Sequence, residues 1–175
     1  MGQVAKVALD KGGKVHGIIP SAFLSMEAPD RASRLHPNEQ ETVCTSMHER
    51  KKLFADLSNA FVGLPGGYGT LEECMEMVTW TQLQIQSKPV VLLNVNGFYS
   101  PLRQFIEGAI SSGFIAPSNR HFLLFVEPPN DTDTSKFDWG QAALEAIRDW
   151  FEKGTGGGDQ FQLDWKNGEK RSDLT

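Results

Sequence analysis

No apolar run in these 175 residues approaches the ~20 needed to cross a bilayer, so no transmembrane helix is expected. The opening Met1-Gly2-Gln3-Val4-Ala5-Lys6 carries no apolar h-region, and no secretory signal is read there. Met1-Gly2 is not followed by the Ser or Thr that a myristoylation site needs. Cysteine is scarce. Cys44 and Cys74 supply neither a disulfide framework nor a zinc spacing, and read as buried thiols of a reducing, cytoplasmic compartment. His48 has no second histidine or carboxylate at metal spacing, so no metal site is expected. Positive charge is in deficit, with 17 Lys and Arg against 22 Asp and Glu. The resulting net charge of −5 argues against polymeric nucleic acid as a partner. It leaves room for a small phosphorylated ligand, which needs only a local positive site.

What is present is the composition of an ordinary soluble globular domain, long enough to bury a core. Short apolar runs at Val15–Ile19, Phe61–Leu64, Val90–Val95 and Phe122–Val126 read as strands. Helical spacing falls between them: Gly2–Lys11 closed by Gly12 or Gly13, then a helix opened by Ser46 with Glu49 as its capping-box partner. Further helices are read from Leu71 to about Gln86, from Pro101 to Gly113, and from Trp139 to Glu152. Residues 20–45 are polar, with no sustained period, and read as a long loop. The Gly-rich segment 154–175 reads as a disordered polar tail behind a single domain, 1–153. Strands alternating with helices imply a parallel sheet covered on both faces, an α/β, Rossmann-like architecture. Ligands bind such sheets beyond the carboxyl ends of their strands.

The most informative stretch is Phe61-Val62-Gly63-Leu64-Pro65-Gly66-Gly67-Tyr68-Gly69-Thr70-Leu71-Glu72-Glu73. It reads as a buried strand, ended by Pro65, then a glycine turn and a helix start. Gly66, Gly67 and Gly69 would permit positive φ and a close ligand approach. Thr70 and Glu73 stand at capping-box spacing. A glycine turn that feeds a helix N-terminus offers free amides to a phosphate. Two common nucleotide motifs do not fit: no Lys follows the glycines as in a P-loop, and Glu72 occupies the place of a third Rossmann glycine.

Pro65-Gly66-Gly67-Tyr68-Gly69-Thr70-Leu71-Glu72-Glu73 resembles the PGGxGTxxE motif of the LONELY GUY proteins, often mislabelled as lysine decarboxylases. Met47-His48-Glu49-Arg50-Lys51 resembles the M-H-x-R-K of that family. Thr79-Trp80-Thr81-Gln82-Leu83 resembles its T-W-x-Q-L, and Val91–Tyr99 its L-L-N-x-x-G-F/Y-Y stretch. The likeness runs from Met1 to about Val126. It implies hydrolysis of cytokinin riboside 5′-monophosphates, or of AMP-like nucleoside 5′-monophosphates, to free base and ribose 5-phosphate. It implies a homodimer, with no metal and no organic cofactor. A decarboxylase would need a lysine for pyridoxal phosphate, and nothing in the sequence marks one.

The resemblance assigns catalysis to Arg50 and Glu73. Read alone, Glu73 is a cap residue worth about 1 kcal/mol, and Arg50 a cation on a solvated helix face. As a catalyst, Glu73 could stabilise an oxocarbenium-like ribosyl centre and position water. Arg50 offers a fixed, forked charge for a phosphate or the leaving base. Substrate contacts are implied for Glu27, Lys51, Gly66, Gly67, Tyr68, Gly69, Thr70, Leu71, Glu72 and Thr79. On spacing alone Thr79 reads as a helix-packing residue.

Family members begin with a strand, a helix and a second strand that ends in a G-G-G-x-x-G-L-M-G turn. Met1-Gly2-Gln3-Val4-Ala5 resembles only the tail of that turn, so a sheet lacking this strand–helix–strand is expected. Two alternatives to the hydrolase stay open at this point: a nucleotide-binding protein without turnover, and an inactive member of the family.

Overall fold

The computed structural model describes residues 2–24, 36–130 and 132–154, so Glu27 and the segment 155–175 lie outside the described residues. Two compact units divide the chain after Ser58.

The first unit runs α1 (Gly2–Asp10), β1 (Val15–Pro20), α2 (Ser21–Leu24), β2 (Glu39–Cys44) and α3 (Met47–Leu57). Gly12, at φ +79, turns the chain out of α1. Its amide donates to Leu9 O and that of Gly13 to Ala8 O, both at 2.8 Å, the paired bonds of a Schellman cap. β1 and β2 are parallel, with Val15 opposite Glu39 and Pro20 opposite Cys44. β2 lies inside the stretch expected to be a loop. Its sequence, Glu-Gln-Glu-Thr-Val-Cys, shows no apolar alternation because only Cys44 of the strand is buried. Backbone pairing with β1, rather than side-chain burial, holds it in the sheet.

α3 opens as expected: the Ser46 hydroxyl accepts from the Glu49 amide at 3.1 Å. The reciprocal half differs from a standard capping box. Glu49 Oε2 accepts from the backbone and the hydroxyl of Thr45, both at 2.7 Å, one residue ahead of the cap. These bonds hold the Glu49 carboxyl below its ordinary pKa.

The second unit runs β3 (Phe61–Gly63), α4 (Tyr68–Gln82), β4 (Val90–Leu93), α5 (Ser100–Ser111), β5 (Leu123–Val126) and α6 (Trp139–Glu152). Its sheet is parallel, in the order β3-β4-β5. β4 is central and wholly buried. Val91 and Leu93 pack with Val126 and Ala143, so α6 covers this face. Leu92 points the other way, toward Cys74 of α4: a Cβ at Gly63 would lie 2.6 Å from Leu92 Cδ2 and 3.1 Å from Cys74 Sγ.

One sequence reading needs correction here. Among the described residues β3 lies at the edge of its sheet with Val62 exposed, and the fully covered strand is β4. α4 buries Cys74, Met77 and Thr81. The buried Thr81 hydroxyl lies 3.1 Å from both the Met77 and Lys88 carbonyl oxygens, which satisfies it in the core.

Candidate active site

β3 stops at Gly63, and Leu64-Pro65-Gly66-Gly67 carries the chain into α4. Gly67 is the N-cap and offers no side-chain cap bond. Thr70 is therefore the third helical residue, and Glu73 lies in the second turn. The expected Thr70–Glu73 capping box does not form. The Thr70 side chain folds back on the turn instead: a Cβ at Gly66 would meet Thr70 Cβ at 3.0 Å and its hydroxyl closer still. The glycines also do not serve through positive φ, which among described glycines belongs to Gly12, Gly97, Gly113 and Gly154. Gly66 makes room for Thr70. At Gly67 and Gly69 a Cβ would meet nothing within 4 Å. Their exposed sides leave the backbone bare for a ligand.

The first intrahelical bond runs from Leu71 N to Gly67 O at 3.1 Å. By helix geometry the amides of Tyr68, Gly69 and Thr70 have no acceptor one turn back, and no N-cap side chain takes them. Together with the helix dipole they suit an anion. The Tyr68 ring is 94% exposed, while Leu71 is half-buried and Glu72 faces out. Glu73 follows Gly69 by four residues and so shares its helix face. The Cα–Cβ bonds of a helix tilt toward its N-terminus, which leans Glu73 toward the bare turn. Thr79 is not brought to this face. It is exposed, about 9 Å farther along the axis than Glu73. Its hydroxyl donates to Met75 O at 2.9 Å, so it bonds its own helix rather than packing.

Behind the turn lies a support that local pattern reading missed. Leu64, Asn94 and Glu127 each stand one residue past the end of β3, β4 and β5. The Tyr99 hydroxyl donates to Leu64 O at 2.6 Å. Asn94 Oδ1 accepts from the Tyr99 amide at 2.7 Å. Asn94 Nδ2 donates to Glu127 Oε2 at 2.8 Å, and Arg103 to Glu127 Oε1 at 2.6 Å. One chain of hydrogen bonds thus ties the carboxyl ends of all three strands. Burial, with Cys74 nearby, raises the Tyr99 pKa against the opposing Gly66 amide bond. The phenol stays a donor. Arg103 and Asn94 hold Glu127 below its ordinary pKa.

In the first unit, Arg50 does not lie on a solvated face. Its Nε donates to Ile18 O at 3.3 Å, near the carboxyl end of β1. Its guanidinium carbon lies 4.5 Å from the Phe54 ring centroid, a cation–π contact. Lys51, beside it, is half-buried, and His48 is exposed. Among the described residues no group of His, Cys, Asp and Glu could hold a metal ion, and no helix is long and apolar enough to cross a membrane.

Parallel α/β units with a side-chain-free turn at the head of a long helix are the class of protein this geometry defines. The chain belongs to the LONELY GUY family: residues 1–134 match the family model described as "possible lysine decarboxylase". It is 48% identical over 130 residues to the probable cytokinin riboside 5′-monophosphate phosphoribohydrolase LOGL9 of Oryza sativa subsp. japonica, covering 74% of this chain and 54% of that one. The cytokinin riboside 5′-monophosphate phosphoribohydrolase LOG5 of Arabidopsis thaliana is 45% identical over 130 residues, with coverages of 74% and 54%. The enzyme of that name from Rhodococcoides fascians is 47% identical over 120 residues, with coverages of 69% and 59%. The chain therefore spans little more than half the length of these relatives.

Proposed function

We propose that this protein hydrolyses the N-glycosidic bond of a cytokinin riboside 5′-monophosphate, giving free base and ribose 5-phosphate. The C1′–N bond breaks, water oxygen bonds to C1′ and keeps one proton as the new hydroxyl, and the other water proton ends on the base nitrogen. The 5′-phosphate lies on the amides of Tyr68, Gly69 and Thr70, over the open sides of Gly67 and Gly69, with Gly66, Leu71 and Glu72 shaping the turn. Glu73 stabilises the positive charge that develops at C1′ and orients the water. Arg50 carries the fixed positive charge that the leaving base or the phosphate requires. Glu27 and Lys51 contact the substrate, Thr79 is left without a contact at this face, and the working form is a cytoplasmic homodimer.

One observation carries this reading. A bare, amide-rich helix start stands one turn ahead of a carboxylate on the same helix face. The names of the relatives support the same reaction over a decarboxylation. Base release should be measured from a cytokinin riboside 5′-monophosphate, the riboside without phosphate, and AMP. The expected order is monophosphate well ahead of riboside, because the turn contributes only through the phosphate. Equal rates on the monophosphate and the riboside would remove the turn from the reaction. AMP turnover at a matching rate would widen the substrate class to unmodified adenine.

A further inference from the structure

The glycine turn has few contacts of its own to fix its shape. Gly67 and Gly69 have no neighbour that a Cβ would touch, and glycine is the residue with most backbone freedom to lose. A phosphate that must find three amides in register gains from a turn already set in place. The covalent neighbours offer one constraint, Pro65. The other is the carbonyl of Leu64, directly before it, which takes the Tyr99 hydroxyl at 2.6 Å. Tyr99 is 2% exposed, so this bond is made away from water. Its ring is fixed edge-on by Phe98, at 5.0 Å between centroids. Its backbone is fixed by Asn94, itself 3% exposed and bonded to Glu127. The hydroxyl that donates to Leu64 O also meets the Gly66 amide, so both of its ties are to the backbone of the turn. Its position, 35 residues along the chain from Leu64, suits it to act on the turn from behind.

From this we infer that Tyr99 is a positioning residue: through the Leu64 carbonyl it holds the Gly66–Thr70 turn in its phosphate-receiving shape. The inference rests on the phosphate reading of the turn given above. Asn94 and Glu127 are the anchor of this tie, and Tyr99 is its moving end. Loss of the hydroxyl leaves the ring, the core packing and the Asn94 bond in place. It frees only the turn.

The test is Tyr99→Phe, with amide hydrogen exchange and binding of AMP and adenosine measured on both proteins. Exchange at Gly66, whose amide bonds the Tyr99 hydroxyl, and at Leu71, whose amide closes on Gly67 O, is expected to quicken by about 10-fold, the scale of one lost hydrogen bond, with β4 and α6 unchanged. AMP affinity is expected to fall by about 10-fold, with adenosine affinity unchanged. On a cytokinin riboside 5′-monophosphate, KM should rise by a like factor while kcat stays within ~3-fold. Unchanged exchange in the turn overturns the inference. So does faster exchange with undiminished AMP affinity, which would make Tyr99 a structural tie alone. An equal loss for AMP and adenosine also overturns it, since the effect would then not pass through the phosphate. If the unaltered protein bound neither AMP nor adenosine, the proposed function would fall, and the exchange comparison would still decide whether Tyr99 sets the turn.

Discussion

Arg50 donates through Nε to the carbonyl oxygen of Ile18 at 3.3 Å, joining α3 to the end of β1. The same guanidinium covers the Phe54 ring. One nitrogen is thereby used to hold the group, and the plane of the fork is set before any ligand arrives. This is the arrangement that a lysine cannot reproduce.

Arg50→Lys is accordingly expected to lower kcat/KM by ~10²-fold or more while the fold persists. The charge is kept, but the fork, the Ile18 bond and the flat contact with Phe54 are lost. Steady-state kinetics beside a thermal melt check this. Unchanged kinetics in the folded variant would confine Arg50 to holding α3 against β1.

The glycine turn separates room for the fold from room for a ligand. Gly66→Ala is expected to destabilise by about 1–3 kcal/mol, since the new methyl would press on Thr70. Gly69→Ala should do the opposite. It sits in helical backbone with open space, so stability is expected to rise by ~0.5 kcal/mol. The same methyl intrudes on the amides, and KM should rise by about 10-fold or more, near the value of a single lost hydrogen bond. Chemical denaturation and kinetics on both variants measure the two effects. A more stable Gly69→Ala protein with unaltered KM would place the ligand elsewhere.

Much of this site was legible in sequence. Pro65 and the glycines announced a strand end and a bare turn, and α6 was found to the residue because Asp138 caps it and its apolar stripe is regular. The helix start was misjudged by three residues. Thr70 has the chemistry of a cap, but glycine can hold that position almost as well. Room at Gly66 for the Thr70 side chain, a tertiary fact, decided the matter. β2 was missed because its pairing with β1 uses backbone bonds that leave no apolar pattern. Tyr99 and Asn94 were visible only as parts of a family-like stretch. Their roles come from bonds to Leu64 and Glu127, at separations of 35 and 33 residues, which no local window contains.

Cys74 provides a pH-dependent check on the core between α4 and β4. Burial first, and the Glu73 carboxylate second, push its thiol pKa up to about 11. The unfolded chain ionises at about 8.5, so the native state holds the proton more tightly. Stability from this group is complete below that value and declines as pH rises toward 11. Alkylation by a thiol reagent at neutral pH is expected to be slow in the native protein and fast in denaturant. Cys74→Ser should remove part of the alkaline loss. Rapid native-state labelling of Cys74 would contradict the packing described here.

Release of free base from a cytokinin riboside 5′-monophosphate, by the protein and by its Glu73→Gln form, tests the central claim most directly. Glutamine keeps the size and hydrogen bonding of the side chain but carries no negative charge. A thermal melt of both forms, run beside the assay, separates a lost charge from a lost fold. The account predicts base and ribose 5-phosphate in equal amounts from the unaltered protein. It predicts release slowed by about 10²–10⁴-fold in Glu73→Gln, with nucleotide still bound. Nucleotide bound by both forms with base released by neither, or base released by both at one rate, would contradict it.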